Sequence, residues 1–178
     1  MLLEGDDIIL RELESADADA LAAIVDDPEV CRYLPTFLAE RTAASREEAI
    51  EQMRAGDYRT GGSTFLAICP KDDRGRMVGL AEIYDFVPEK PKVSIGGRLS
   101  RACWSKGYGS QTVELLKRHL IDDAGVRTIT AHVMVENVAS ARTMESCGFR
   151  PLYTNLLEDW GFDEPVLISK YVYKSRWE

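Results

Sequence analysis

The chain has 178 residues, 45% apolar and 29% charged, a composition that folds around one core and excludes a disordered tail protein. Its 22 basic and 30 acidic residues leave a net charge of −8, which disfavours nucleic acid and anionic membrane as partners and favours cationic substrates. Cys31, Cys69, Cys103 and Cys147 lie too far apart for a zinc-type pair, the first seven residues are acidic where a secretory leader is basic, and the longest purely apolar stretch, 20–25, is far short of the ~20 residues that span a bilayer. The expectation is a cytoplasmic protein with four reduced, buried or semi-buried thiols and no metal.

The elements alternate in type. Residues 8–13 predict a short strand, and Ser15 is placed to cap a helix whose Leu21, Ile24 and Val25 share a face, ended by Asp27-Pro28. Ser45-Arg46-Glu47-Glu48 is a capping box for a second helix with Ala49, Ile50 and Met53 inward. Strands at 64–69, 76–86 and 93–99, joined by the polar turn 71–75 and by Pro88 to Pro91, form an antiparallel meander. Gly107-Tyr108-Gly109 precedes a helix with Val113, Leu116 and Leu120 at helical spacing. A strand at 128–135, a helix at 139–147 closed by Gly148, and a last strand at 166–173 complete the chain. The whole chain, 1–178, is one α/β (α+β) domain: a mixed, mostly antiparallel sheet flanked by helices.

The segment Trp104-Ser105-Lys106-Gly107-Tyr108-Gly109-Ser110 lies between a strand and a helix. Unpaired N–H groups and the helix dipole make such a start attractive to anions, the two glycines clear the approach, and Lys106 adds a full positive charge. No window matches the Walker loop, and the dinucleotide fingerprint fails because its third glycine is Thr112. A phosphate or pyrophosphate cradle remains, against a plain close-packing turn.

This array, with Asn137-Val138-Ala139-Ser140 and Gly148-Phe149 downstream, resembles the GNAT N-acetyltransferases, and within them the ribosomal-protein N-terminal (RimJ/RimL-like) branch. Upstream, Ile9 to Leu13, Asp17, Asp27 to Val30, Tyr33-Leu34 and Val93 to Gly96 are similar as well, so the likeness covers nearly the whole chain. The resemblance implies an enzyme that moves acetyl from acetyl-CoA to a primary amine, on a protein N-terminus or a small molecule, without metal, by direct attack in a ternary complex. It implies a monomer or homodimer. It further implies that the loop from Trp104 through Lys106, Gly107, Tyr108, Gly109 and Ser110 holds the pyrophosphate. Leu99 and Ser100 would pair with the pantetheine amides, Asn137 would bond the pantetheine arm, and Ser140 would face the sulfur. Three positions depart from the wider family: Trp104 replaces the Gln or Arg before the loop, Met144 the usual tyrosine acid, and Ser94 the usual strand glutamate. The Met144 departure favours the alternative of a non-catalytic acyl-CoA-binding or regulatory module.

Acetyl transfer to an amine needs a proton acceptor, donors for the oxyanion and a donor for sulfur. Glu82, between Leu80 and Tyr84, is a carboxylate among apolar neighbours and is the first candidate base, with Asp85 and His132 behind it. His119 is expected at the surface. Tyr33, Tyr84, Trp160 and Phe162 either line an acceptor cleft or belong to the core. The acidic segment 158–164, with Glu158, Asp159, Asp163 and Glu164 around Trp160, is either a solvated loop or a trap for a cationic acceptor.

Overall fold

Unbroken apolar runs such as Ile8-Ile9-Leu10 and Phe65 to Cys69 suit strands covered on both faces, and the fold covers them. A computed structural model describes residues 1–175. Eight strands make one sheet: β1 (Leu2–Glu4), β2 (Ile8–Glu12), β3 (Thr64–Pro70), β4 (Gly79–Val87), β5 (Lys92–Leu99), β6 (Thr128–Met134), β7 (Arg150–Glu158) and β8 (Val166–Lys174), in the order β1-β2-β3-β4-β5-β6-β8-β7. Every neighbouring pair is antiparallel except β5 and β6.

Four short helices, α1 (Ala22–Val25), α2 (Pro28–Cys31), α3 (Ala39–Thr42) and α4 (Arg46–Arg54), follow a 3-10 turn at Ser15–Leu21. Leu21, Ile24, Val30, Ile50 and Met53 from this layer pack against Ile9, Ala67, Cys69 and Leu80. On the other face α5 (Tyr108–Arg118) and α6 (Val138–Ser146) bring Val113, Leu116, Met144 and Cys147 onto Ile8, Leu10, Ala81, Ile83, Val93 and Ile129. Adjacent residues of one strand thus enter different cores, as the two-residue period of a pleated strand requires. Among the described residues no helix is long and apolar enough to cross a membrane.

Several local expectations are revised. Ser15 does not cap the first helical segment; Glu14 and Asp17 form a reciprocal box there, and Arg11 locks Asp17 with two hydrogen bonds of 2.9 and 2.8 Å. Pro28 opens α2, with Asp27 as its cap. β4 begins at Gly79, and Asp85, at φ 53°, kinks its far end where the register with β5 shifts. β1 and β7 were not anticipated. β7 is exposed along almost its whole length and shows no apolar alternation. His119 is buried in a π turn that continues α5, its Nδ1 2.8 Å from Asp123.

Candidate active site

β5 and β6 pair only at Lys92–Thr128, Val93–Ile129 and Ser94–Thr130. Beyond that point β5 continues to Leu99 beside β4, while β6 continues to Met134 beside β8. The two parallel strands therefore part and leave a wedge in the middle of the sheet. Ser94 and Thr130 close its apex with a hydroxyl–hydroxyl bond of 2.9 Å.

The β5 edge of this wedge is open backbone. Ser100 N–H donates to Val78 (2.8 Å), so the strand's alternation turns Gly97 N–H and C=O and Leu99 N–H away from β4 and into the wedge. An extended chain bearing amides can pair with them as an added strand. Of the two residues expected to do so, Leu99 contributes its N–H only, because its carbonyl accepts Trp104 Nε1 at 2.9 Å. Ser100 is spent: its N–H goes to Val78 and its C=O accepts from Cys103. Gly97 is the position sequence reasoning missed; a Gly96-Gly97 pair inside a strand is the signal for close backbone approach.

The loop after β5 delivers α5 to the same place. Ser105 (φ 60°) and Gly107 (φ 77°) both take left-handed conformations and reverse the chain into the helix. Gln111 N–H is the first bonded within the helix, to Gly107, which leaves the N–H groups of Tyr108, Gly109 and Ser110 facing outward without helical partners. Lys106 stands exposed beside them. A Cβ built on Gly109 would lie 3.8 Å from Thr143 of α6, so the first turn of α5 abuts α6. Trp104 ties the loop to the end of β5 by its bond to Leu99.

α6 borders the wedge from the β6 side. Asn137 is its N-cap, and its Oδ1 accepts Ser140 N–H at 3.2 Å. Only the Asn137 side-chain NH₂ is left for a ligand. The Ser140 hydroxyl makes no hydrogen bond among the described residues, and Met144 follows one turn later, buried in the core.

On the opposite face, toward α1–α4, lies a polar cluster. Glu82 is not the solitary carboxylate its apolar neighbours suggested: it accepts Arg98 Nη1 and Ser63 Oγ, each at 3.0 Å. Arg98 is also ion-paired with Glu40, whose side chain is wholly buried. Burial would lower the Arg98 pKa, but Glu40 and Glu82 more than offset it and raise it. Acting as a base would require Glu82 to leave this pair. Tyr84 is pushed up by burial and by Glu82 and Asp85. His132, two residues past Thr130 on the same face, has Nδ1 3.5 Å from Glu158 Oε2, which accepts Trp160 Nε1 at 2.9 Å. Glu158 is thus half-buried and engaged, Trp160 is buried, and Asp159 accepts Gly161 N–H, so 158–164 is not a simple solvated acidic loop. Phe162 is half-buried and Tyr33 likewise.

An open strand edge ending at an uncapped helix start offers hydrogen bonds to a chain with amides along its length and anionic groups at one end. Residues 7–150 match the family model described as the acetyltransferase (GNAT) domain, and the chain belongs to that family, whose acetyl donor is acetyl-CoA. The uncharacterized N-acetyltransferase p20 of Bacillus licheniformis is 27% identical over 166 residues, 93% of this chain and 90% of the relative. Among solved structures, RimL, the ribosomal L7/L12 α-N-protein acetyltransferase in complex with CoA, superposes with a TM-score of 0.82 at 16% identity, covering 98% of each chain. The microcin C7 self-immunity acetyltransferase MccE, in complex with acetyl-CoA and AMP, gives 0.78 at 16% identity over 96% of this chain and 93% of its own. Among the described residues no group of His, Cys, Asp and Glu side chains could hold a metal ion.

Proposed function

We propose that this enzyme transfers the acetyl group of acetyl-CoA to a primary amine, of a protein N-terminus or a small molecule, by direct attack within a ternary complex in the cytoplasm. The observation that carries the reading is the wedge between β5 and β6, open on its β5 edge and leading to three free N–H groups of α5. The pyrophosphate sits on Tyr108, Gly109 and Ser110 N–H with Lys106 beside it. The pantetheine amides pair with Gly97 and Leu99, and the Asn137 NH₂ meets the same arm. The thioester then lies at the wedge, with α6 and Ser140 on one side and the polar face on the other.

The amine attacks the carbonyl carbon, the C–S bond breaks, and CoA leaves as thiolate near the Ser140 hydroxyl. An acyl-enzyme is disfavoured: all four cysteines are buried, and burial raises the pKa of Cys31, Cys69 and Cys147 when a nucleophile needs it lowered. The RimL likeness supports a protein N-terminus as acceptor, and the MccE likeness a small molecule.

Two measurements test the reading. Acetyl-CoA at 100 times its dissociation constant should add about 2.7 kcal/mol of stability. Gly107→Val should lose that shift, because valine at φ 77° cannot hold the turn. Thiol release in the presence of primary amines should follow. An unchanged shift in the variant removes the cradle; binding without thiol release leaves a CoA-binding module.

A further inference from the structure

We propose that His132 is the base that takes the proton from the attacking amine, with Glu158 as its positioning residue; this rests on the acetyltransferase reading above. Four observations point there. Ser94 and Thr130 are the last facing pair before the strands part, and His132 is the next residue on that face of β6. Alternation along β6 sends Ile129, Ala131 and Val133 into the core beneath α5 and α6 and His132 to the opposite face. The donor cradle and Ser140 belong to the α5–α6 side, so an acceptor approaches from the side where His132 lies. Its Nε2 is buried and has no hydrogen-bond partner, whereas Nδ1 faces Glu158 at 3.5 Å.

The Glu158 carboxylate is itself fixed. Trp160 Nε1 donates to it, and the Trp160 carbonyl accepts Thr36 N–H at 2.8 Å. A proton on Nδ1, directed at Glu158, leaves the Nε2 lone pair bare. Glu82 is the rival base, but Arg98 and Ser63 already occupy its oxygens. The proton account closes. The C–N bond forms as the amine nitrogen attacks, its proton passes to Nε2, the C–S bond breaks to give CoA thiolate, and the imidazolium returns its proton to solvent as the products leave and water enters the acceptor side.

The charged groups that act on the ring are Glu158 from β7, Lys170 from the paired position on β8, Asp85 from β4 and Lys92 from β5. Burial lowers the His132 pKa most, Lys170 and Lys92 lower it further, and Glu158 and Asp85 raise it. The neutral base therefore predominates at pH 7, and turnover should fall as acid protonates it below its ordinary value.

The test begins with nitrogen-detected NMR of the whole chain, assigning His132 against His119 with His132→Asn. The expected state is neutral at pH 7.5 with the proton on Nδ1. Turnover is then followed from pH 5 to 9 with three probes: a peptide with a free N-terminus, spermidine and kanamycin. The parent should show an acid limb at the His132 midpoint. His132→Asn should lose that limb and about 100-fold in kcat while keeping the acetyl-CoA thermal shift. Glu158→Gln should move the limb to lower pH, since a charge that raises the pKa is gone, and Glu158→Asp should restore part of it. A proton on Nε2, or a parent-like profile in His132→Asn, overturns the assignment. A parent that binds acetyl-CoA but acetylates none of the probes overturns the proposed function, and the base with it, whatever the tautomer.

Discussion

Ser140 and Glu40 sit on opposite sides of the wedge and make opposite demands. Ser140 keeps a free hydroxyl at the start of α6 and spends only its backbone N–H on the helix cap. Its value rises as negative charge builds on sulfur, so Ser140→Ala should lower kcat by about 10–100-fold and leave acetyl-CoA affinity nearly unchanged. Equal turnover in the variant would leave thiolate protonation to solvent. Glu40 is buried against Arg98, and its removal strands half of a buried charge pair. Glu40→Ala should cost about 3–5 kcal/mol in urea unfolding, with Glu40→Gln costing less. If neither variant moves the midpoint, the ion pair contributes nothing to stability. At this scale the sequence was legible where a residue's meaning is local. Gly107 before a helix and Gly148 at φ 84° after one behave as their neighbours in sequence imply, whereas the capping role of Asn137 was not read from the sequence. Glu82 was not, because what decides its state, Arg98, reaches it only through the β4–β5 register, and Glu40 joins from a different layer. His119 was misplaced for a related reason: a π turn rotates it inward, and no spacing rule anticipates that.

Secondary-structure elements were legible where burial imprinted a period. β2 and β3 carry apolar residues in both cores, β6 turns Ile129, Ala131 and Val133 into one of them, and α4 shows its buried stripe at Ala49, Ile50 and Met53. β7 escaped because it is an edge strand, wet along both sides and opened by Arg150-Pro151; its place comes from pairing with β8 rather than from its own composition. That missed hairpin matters, since its end brings Glu158, held by Trp160, to His132. The turn beyond it depends on Gly161, which has φ 82°, and a Cβ there would lie 1.9 Å from Thr36 Oγ1. The left-handed strain remains whatever the space, and the close contact is relieved by turning the Thr36 side chain or by shifting the 158–162 segment. Gly161→Ala should therefore destabilise the fold by about 1–3 kcal/mol. It should also reduce kcat more than acetyl-CoA affinity, because the start of α5, where the phosphates are proposed to bind, belongs to the other side of the sheet. Thermal melting with and without acetyl-CoA, beside steady-state kinetics, checks both parts; a drop in cofactor affinity equal to the loss in kcat would show that the segment supports the whole wedge instead.

Over the whole molecule, the charge of −8 is spent unevenly. In the proposed complex the CoA phosphates meet Lys106 and three backbone N–H groups, so the global charge would do nothing for the donor and would mildly oppose it. It favours a cationic acceptor, and such attraction acts over roughly a Debye length of ~8–10 Å at ordinary salt. The acidic segment after β7 is where that attraction would be focused, but its four carboxylates are not equivalent. Glu158 is committed to Trp160 and His132, and Asp159 accepts Gly161 N–H, while Asp163 and Glu164 stay exposed with no hydrogen-bond or ion-pair partner among the described residues. Only the last pair can gather an acceptor without disturbing the base. Asp163→Asn with Glu164→Gln should therefore raise the KM of a cationic amine such as spermidine about two- to fivefold at low salt, flatten its salt dependence, and leave kcat and the KM for acetyl-CoA unchanged. Steady-state kinetics across 20–300 mM salt reads this directly. A variant with the parent's salt slope would place the steering elsewhere on the acidic surface, and best turnover on a neutral amine at every salt concentration would mean that the negative charge keeps the enzyme soluble and takes no part in choosing its acceptor.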